Sequence, residues 1–280
     1  MTAQHYDLEL QRRLLWAASK PVLRPVARWR WPSRALSSQF MLILGSQRSG
    51  TTLMFLMLTA HPRITGLDEN HAGFDLPPWP VVATNALRGK RTLYKLPTLS
   101  SEIERVADAM PRASIIWMIR HPYAVVASMR ALKFDDGKSW IQKWGRVELA
   151  TLKAQFPELE APQYDLDDDV TLAAMVWKYK LASIARFIDR GLNIIPIRYE
   201  DLVEDPEETL RGLLQTLKVP WSANVLEHHR FHGSERHAGN TRGDMPVDAS
   251  RRRRGEELSD NERARVDLVC DELMRRHHYL

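Results

Sequence analysis

Between residues 40 and 60 a continuous apolar run meets a turn bracketed by two glycines, and a second apolar run follows at once. Phe40-Met41-Leu42-Ile43-Leu44 carries no polar residue, which suits a strand covered on both faces, and Gly45 ends it. The run from Thr51 to Ala60 predicts a helix that His61-Pro62 stops. A strand buried on both faces needs partners above and below it, so this short stretch already directs the chain toward a layered α/β fold. The turn itself, Gly45-Ser46-Gln47-Arg48-Ser49-Gly50-Thr51-Thr52, brings successive backbone N–H groups to a helix N-terminus, a combination that holds anions.

Two more apolar runs extend this pattern. Ser114-Ile115-Ile116-Trp117-Met118-Ile119 predicts a second buried strand, after a helical segment over about residues 100–110 and before Pro122 at the first turn of another helix. Asn193-Ile194-Ile195-Pro196-Ile197-Arg198 predicts a third such strand. Strands alternating with helices argue for a three-layer α/β fold with a central, mostly parallel sheet. Residues 133–190 are mainly helical in pattern, an insertion suited to cover an acceptor site at the carboxyl edge of that sheet. Ser259, with Asp260 and Glu262 after it, starts a closing helix that ends in Arg and His. The expected organisation is a peripheral arm over residues 1–38, with a short helix near residues 8–18, and one domain over residues 39–280. No repeat of 20–50 residues is present.

Forty Lys and Arg against 35 Asp and Glu give a net charge of +5, a mild excess that suits an anionic ligand and does not call for nucleic acid. The lone cysteine, Cys270, excludes an internal disulfide framework and fits a reducing compartment. The apolar stretch at residues 14–18 is too short to span a bilayer, so a soluble, cytoplasmic protein is expected. Basic charge gathers at residues 24–34 and 251–254. The first tract reads as a solvated face or, with Trp29 and Trp31, as a peripheral membrane contact. His228, His229, His232 and His237 lack the spacing of a metal site and are expected to face solvent or an acceptor, with no metal required. A homodimer is open.

The glycine spacing GxxxxG is that of a P-loop, yet its lysine is missing. Thr51 stands at the lysine position, and the cation lies inside the loop as Arg48. The second strand ends in Arg120, where a nucleotide triphosphatase would place a magnesium-binding aspartate. Both departures disfavour the alternative, a P-loop small-molecule kinase, and favour a less charged group such as a phosphosulfate.

The residues QRSGTTLM resemble the 5′-phosphosulfate loop of the sulfotransferase family, and the stretch from Arg48 to Asn70 resembles its tyrosylprotein sulfotransferase branch and bacterial relatives. Ile119-Arg120-His121-Pro122 followed by Val125-Val126-Ala127-Ser128 resembles the family's 3′-phosphate motif, and Arg198-Tyr199-Glu200-Asp201-Leu202 its YEDL segment. The matches keep the family order from residue 40 to about residue 220.

The resemblance implies transfer of a sulfuryl group from 3′-phosphoadenosine 5′-phosphosulfate (PAPS) to a hydroxyl or amine, leaving adenosine 3′,5′-bisphosphate (PAP). Ser46, Gln47, Arg48, Ser49, Gly50, Thr51 and Thr52 would hold the phosphosulfate, Arg120 and Ser128 the 3′-phosphate, and Tyr199 would belong to the same nucleotide site. Arg251, Arg252 and Arg253 would add cations; the tryptophan common there in bacterial members is absent, which leaves open which arginine serves. Leu53 replaces a tryptophan of many cytosolic members, leaving the adenine neighbour open. Glu69 is the implied base, with His71 as competitor, and Lys95 in Tyr94-Lys95-Leu96-Pro97 resembles the family's K-x-P lysine. Lys95 and Arg48 would stabilise charge on the leaving group. The acceptor, whether small molecule, lipid, carbohydrate or peptide, is not specified; Trp140, Trp144, Trp177 and Tyr179 hint at an apolar pocket or at core.

Overall fold

The computed structural model describes residues 36–69, 79–156, 164–234, 236–237 and 241–280, with backbone alone for 79, 80, 154, 236, 237 and 251–254. The peripheral arm, its helix, the tract at 24–34 and His71 lie outside the described residues.

The predicted strand–turn–helix is present as β1 (Phe40–Gly45) and α1 (Thr51–Thr59). After α1 come β2 (Ile64–Asp68), α2 (Trp79–Leu87) and β3 (Arg91–Lys95), then a 3₁₀ turn (Pro97–Ser101) and α3 (Ile103–Ala109). The helical segment expected from residue 100 is therefore a 3₁₀ turn followed by a short helix. The next unit is β4 (Ser114–Ile119) and α4 (Pro122–Ala131), with Pro122 in the first turn of α4, where a missing N–H costs nothing.

The insertion opens in a turn closed by a bridge between Lys133 and Ser139 and is otherwise mainly helical where it is described: a wide π turn (Ile141–Gly145) runs into α5 (Arg146–Gln155), and α6 (Asp169–Asp189) follows, capped by the Asp168 carboxylate. Then come β5 (Asn193–Arg198), α7 (Tyr199–Glu204) and α8 (Pro206–Thr216), and after a short ribbon a 3₁₀ segment (Ala249–Glu257). The last helix, α9 (Asp260–Arg276), starts in a capping box in which Ser259 and Glu262 satisfy each other's backbone N–H groups.

The five strands form one all-parallel sheet in the order β2-β3-β1-β4-β5. Its centre is β1, whose residues Phe40 to Leu44 are fully buried. Side-chain alternation divides the core: Phe40, Leu42 and Leu44 join Ile115 and Trp117 under α4, α6 and α9, while Met41 and Ile43 join Ile116 and Met118 under α1, α7 and α8. The result is three layers.

Two strands, β2 and β3, were not expected. The third expected strand, β5, is an edge strand, half exposed rather than buried, which explains why Pro196 is tolerated in it. No helix among the described residues is long and apolar enough to cross a membrane.

Candidate functional site

In a parallel sheet ligands gather at the carboxyl ends of the strands, and the sequence places its unusual residues there. The turn after β1 needs positive φ at Gly45 (134°) and Gly50 (96°), and a Cβ on Gly50 would be driven into the Tyr199 ring. Arg48 also takes a positive φ (71°), although it carries a side chain. Such a conformation costs about 1–2 kcal/mol and persists only where the surroundings enforce it. Here the Arg48 carbonyl accepts from Arg120 at 3.1 Å, and its Nε donates to Ser128 Oγ at 2.9 Å. Ser49 Oγ closes the turn on the Ser46 carbonyl at 2.6 Å. Ser46, Ser49, Thr51 and Thr52 are buried or nearly so, and Gln47 and Gly50 are half-buried.

The structure thus brings the three elements of one cluster together: Arg48 from the turn, Arg120 from the end of β4, and Ser128 from α4. Arg120 is buried, and its guanidinium lies 4.0 Å over the ring of Tyr199, the first residue of α7. Trp177 donates its indole N–H to the Arg120 carbonyl at 2.9 Å, so this tryptophan is core and holds the arginine's backbone. Tyr179 is also fully buried. Trp144 is half exposed and Trp140 half-buried.

Glu200, which follows Tyr199, accepts from the His121 N–H at 2.9 Å and from the Tyr279 hydroxyl at 3.1 Å. This glutamate and the C-terminal tyrosine fix the residue next to Arg120, and neither was anticipated as such. Burial pushes His121 down to about 4, with Asp267 opposing and Arg198 reinforcing the shift.

A second cluster forms where β2 and β3 end side by side, Asp68 being in register with Lys95. Lys95, fully buried at 1 % exposure, holds the Glu69 carboxylate at 2.9 and 3.0 Å and donates to Thr52 Oγ1 at 3.2 Å. It is not the exposed lysine that its basic neighbours Arg88, Lys90 and Arg91 would suggest. Glu69 keeps 17 % side-chain exposure and thus an opening to solvent. Thr52 connects this cluster to the turn. The acid and the cation are therefore contiguous with the turn, and they are of the kinds that can accept a proton and oppose charge on a departing oxygen.

The backbone of Arg251, Arg252 and Arg253 runs in the 3₁₀ segment against the start of α4, where Gly255 packs on Tyr123 and Ala124. His228, expected to be exposed or on an acceptor wall, is fully buried, and burial together with His229 and His232 lowers it to about 4. His232 Nε2 is 2.9 Å from the Leu56 carbonyl near the end of α1. Among the described residues no group of His, Cys, Asp and Glu is arranged to hold a metal.

The model of the sulfotransferase family matches residues 79–223. The omega-hydroxy-beta-dihydromenaquinone-9 sulfotransferase Stf3 of Mycobacterium tuberculosis is 28 % identical over 130 residues, 46 % of this chain and 29 % of that protein. Protein-tyrosine sulfotransferase 1 of Danio rerio is 24 % identical over 207 residues, 69 % of this chain and 57 % of its own length. The chain thus spans less than two thirds of these curated relatives. Among solved structures, the sulfotransferase domain from the curacin biosynthetic pathway superposes with a TM-score of 0.52 at 19 % identity, covering 83 % of this chain and 96 % of that one. Mouse sulfotransferase SULT7A1 complexed with PAP gives 0.50 at 15 %, covering 85 % of each chain.

Proposed function

Because the chain belongs to the sulfotransferase family, we propose that it transfers a sulfuryl group from PAPS to a hydroxyl or amine acceptor, with Glu69 as base. The observation that carries the reading is the Lys95–Glu69 pair beside Thr52, at the edge of a phosphate-type turn. When bound, the donor supplies the sulfuryl group: its S–O bond to the 5′-phosphate breaks as the acceptor atom bonds sulfur.

The chain's own residues have four tasks. The turn from Ser46 to Thr52 offers backbone N–H groups, and the first-turn amides of α1 have no acceptor within the helix, so the 5′-phosphosulfate fits the cradle. Arg120 and Ser128 hold the 3′-phosphate; their convergence on Arg48 supports a doubly charged group at that spot. Tyr199 fixes Arg120 by stacking, and Arg251, Arg252 and Arg253 lie on a segment packed against the same helix. Glu69 takes the acceptor proton, while Lys95, released from its ion pair as that carboxylate is neutralised, opposes charge on the leaving phosphate oxygen. Arg48 assists from the turn.

The mouse protein's PAP complex and the relatives named for a menaquinone derivative and for protein tyrosine support this donor and a small-molecule or peptide acceptor. The unit that carries the activity is residues 39–280. Calorimetry tests the proposal: PAP should bind at least tenfold tighter than AMP, and labelled PAPS should transfer to one member of a panel of phenols, a quinol and a tyrosine peptide. Equal affinity for PAP and AMP refutes it.

A further inference from the structure

The pair of Glu69 and Lys95 depends on the short segment Lys95-Leu96-Pro97, and that segment is tied down by a group with no part in the scheme above. Lys180, halfway along α6, is completely buried; its ammonium donates to the Pro97 carbonyl at 3.0 Å and pairs with Glu148 of α5. Taking an ammonium out of water costs several kcal/mol, and a methionine would fill the same space without that cost. A lysine at this position therefore calls for a local use.

The contacts around Pro97 indicate what that use is. The same carbonyl accepts from Ser100 Oγ at 2.7 Å. Ser100 Oγ in turn meets both the N–H and the carbonyl of Gly45 at 3.0 Å. Leu96 N–H donates to the Ile43 carbonyl at 3.2 Å, which aligns the start of the segment on β1. A continuous path of bonds thus runs from Glu148 through Lys180, Pro97 and Ser100 to the first glycine of the anion turn. It passes two residues beyond Lys95.

We infer that Lys180, held by Glu148, is a positioning residue that fixes the Pro97 carbonyl and thereby the line along which Lys95 meets Glu69 and Thr52. The inference rests on the sulfuryl-transfer reading of those residues. Lys180 acts through backbone, not on the reacting atoms. Burial lowers its proton affinity, and the charge and hydrogen bond of the Glu148 carboxylate oppose that shift. Both partners belong to the helical insertion, and the insertion therefore contributes to the geometry of the lysine.

The test compares the parent chain with Lys180→Met and with Lys180→Met/Glu148→Leu. PAP affinity is measured first; its absence in the parent would sink the sulfuryl-transfer reading and with it the basis of this inference, whereas PAP binding in the parent leaves the inference alone at stake. Turnover is then followed with labelled PAPS and the acceptor the parent uses, or as donor hydrolysis if it uses none. Both variants should bind PAP within about threefold of the parent and lose roughly 10- to 100-fold in kcat, the range expected when a reacting group is misplaced by up to about 1 Å. The double variant replaces the buried pair by apolar groups, an exchange often neutral or stabilising, so a folded protein is at hand if the single variant unfolds. A pair with a structural role alone would lower Tm and leave kcat untouched. A kcat within twofold of the parent in either folded variant overturns the inference.

Discussion

Removing either member of the Lys95–Glu69 pair should sharply lower turnover, yet the two removals should differ in their effect on stability, and the difference follows from exposure. Lys95 is 1 % exposed and Glu69 17 %. In Lys95→Met the surviving carboxylate can turn toward its opening and recover water, so the loss should be about 1 kcal/mol, near the low end for a broken polar contact. In Glu69→Gln the surviving ammonium has no such exit. Losing one partner of a buried ion pair costs about 3–5 kcal/mol, and the glutamine oxygen together with Thr52 Oγ1 offsets part of it, leaving roughly 2–3 kcal/mol. At about 2–4 °C per kcal/mol for a chain of this size class, Tm should fall by about 2–4 °C for Lys95→Met and about 4–12 °C for Glu69→Gln. Turnover should fall by roughly 10²- to 10³-fold for Lys95→Met, while PAP affinity stays within a few-fold in both. Differential scanning calorimetry, titration with PAP and turnover of labelled PAPS measure these effects on the same samples. A larger Tm loss in Lys95→Met than in Glu69→Gln would refute the burial argument, and full turnover in Glu69→Gln would exclude Glu69 as the base.

Gly50→Ala should lower PAP affinity by about 10- to 100-fold, because the added Cβ enforces about 1–2 kcal/mol of backbone strain and displaces the Tyr199 ring on which Arg120 stacks; titration with PAP within twofold of the parent would contradict it. Arg120→Ala should weaken PAP more than AMP if its guanidinium meets the 3′-phosphate as proposed, and an equal loss for both nucleotides would remove that assignment. His121 and His228 are both pushed down to about 4 by burial, so the unfolded chain binds more protons than the folded one between about pH 4 and 6.5. The stability they contribute is complete above pH 6.5 and is lost as pH falls toward 4, each histidine giving up about 1.4 kcal/mol per pH unit across that window, and urea unfolding at pH 7.5, 6 and 5 should show the midpoint falling steadily.

What the sequence discloses of this fold follows from how strongly each element must bury apolar surface. β1 and β4 lie at the centre of the sheet and need cover on both faces, so they are written as unbroken apolar runs. β2 and β3 carry ITGLD and RTLYK, five residues each with polar side chains among them, and β2 is at the edge, where one side is open. Nothing in so short a segment separates strand from loop, so composition and spacing alone leave Lys95 either one more exposed lysine or the cation that the K-x-P resemblance implies; the parallel register, with Asp68 beside Lys95, brings Glu69 to its ammonium.

The turn is legible because its glycines stand where φ must be positive, whereas Arg120 and Ser128 are legible only through their resemblance to the family's motif, since a strand-end arginine and a helical serine two turns on read by themselves as a salt bridge and a packing residue. Glu200, Tyr279 and Lys180 are not legible, because the bonds that give them their roles span 79, 79 and 83 positions in sequence and only the packed layers bring the partners together. A buried lysine and an exposed one are written with the same letter. The sequence around Lys180, WKYKLASIAR, even invites the exposed reading, and it is the buried apolar residues along α6, Trp177, Tyr179 and Leu181 among them, that turn the helix inward and take the ammonium with it. Site residues of this kind are thus found through the cost of burying them: a charge retained where an apolar group would be cheaper marks a contact that the fold has reason to hold.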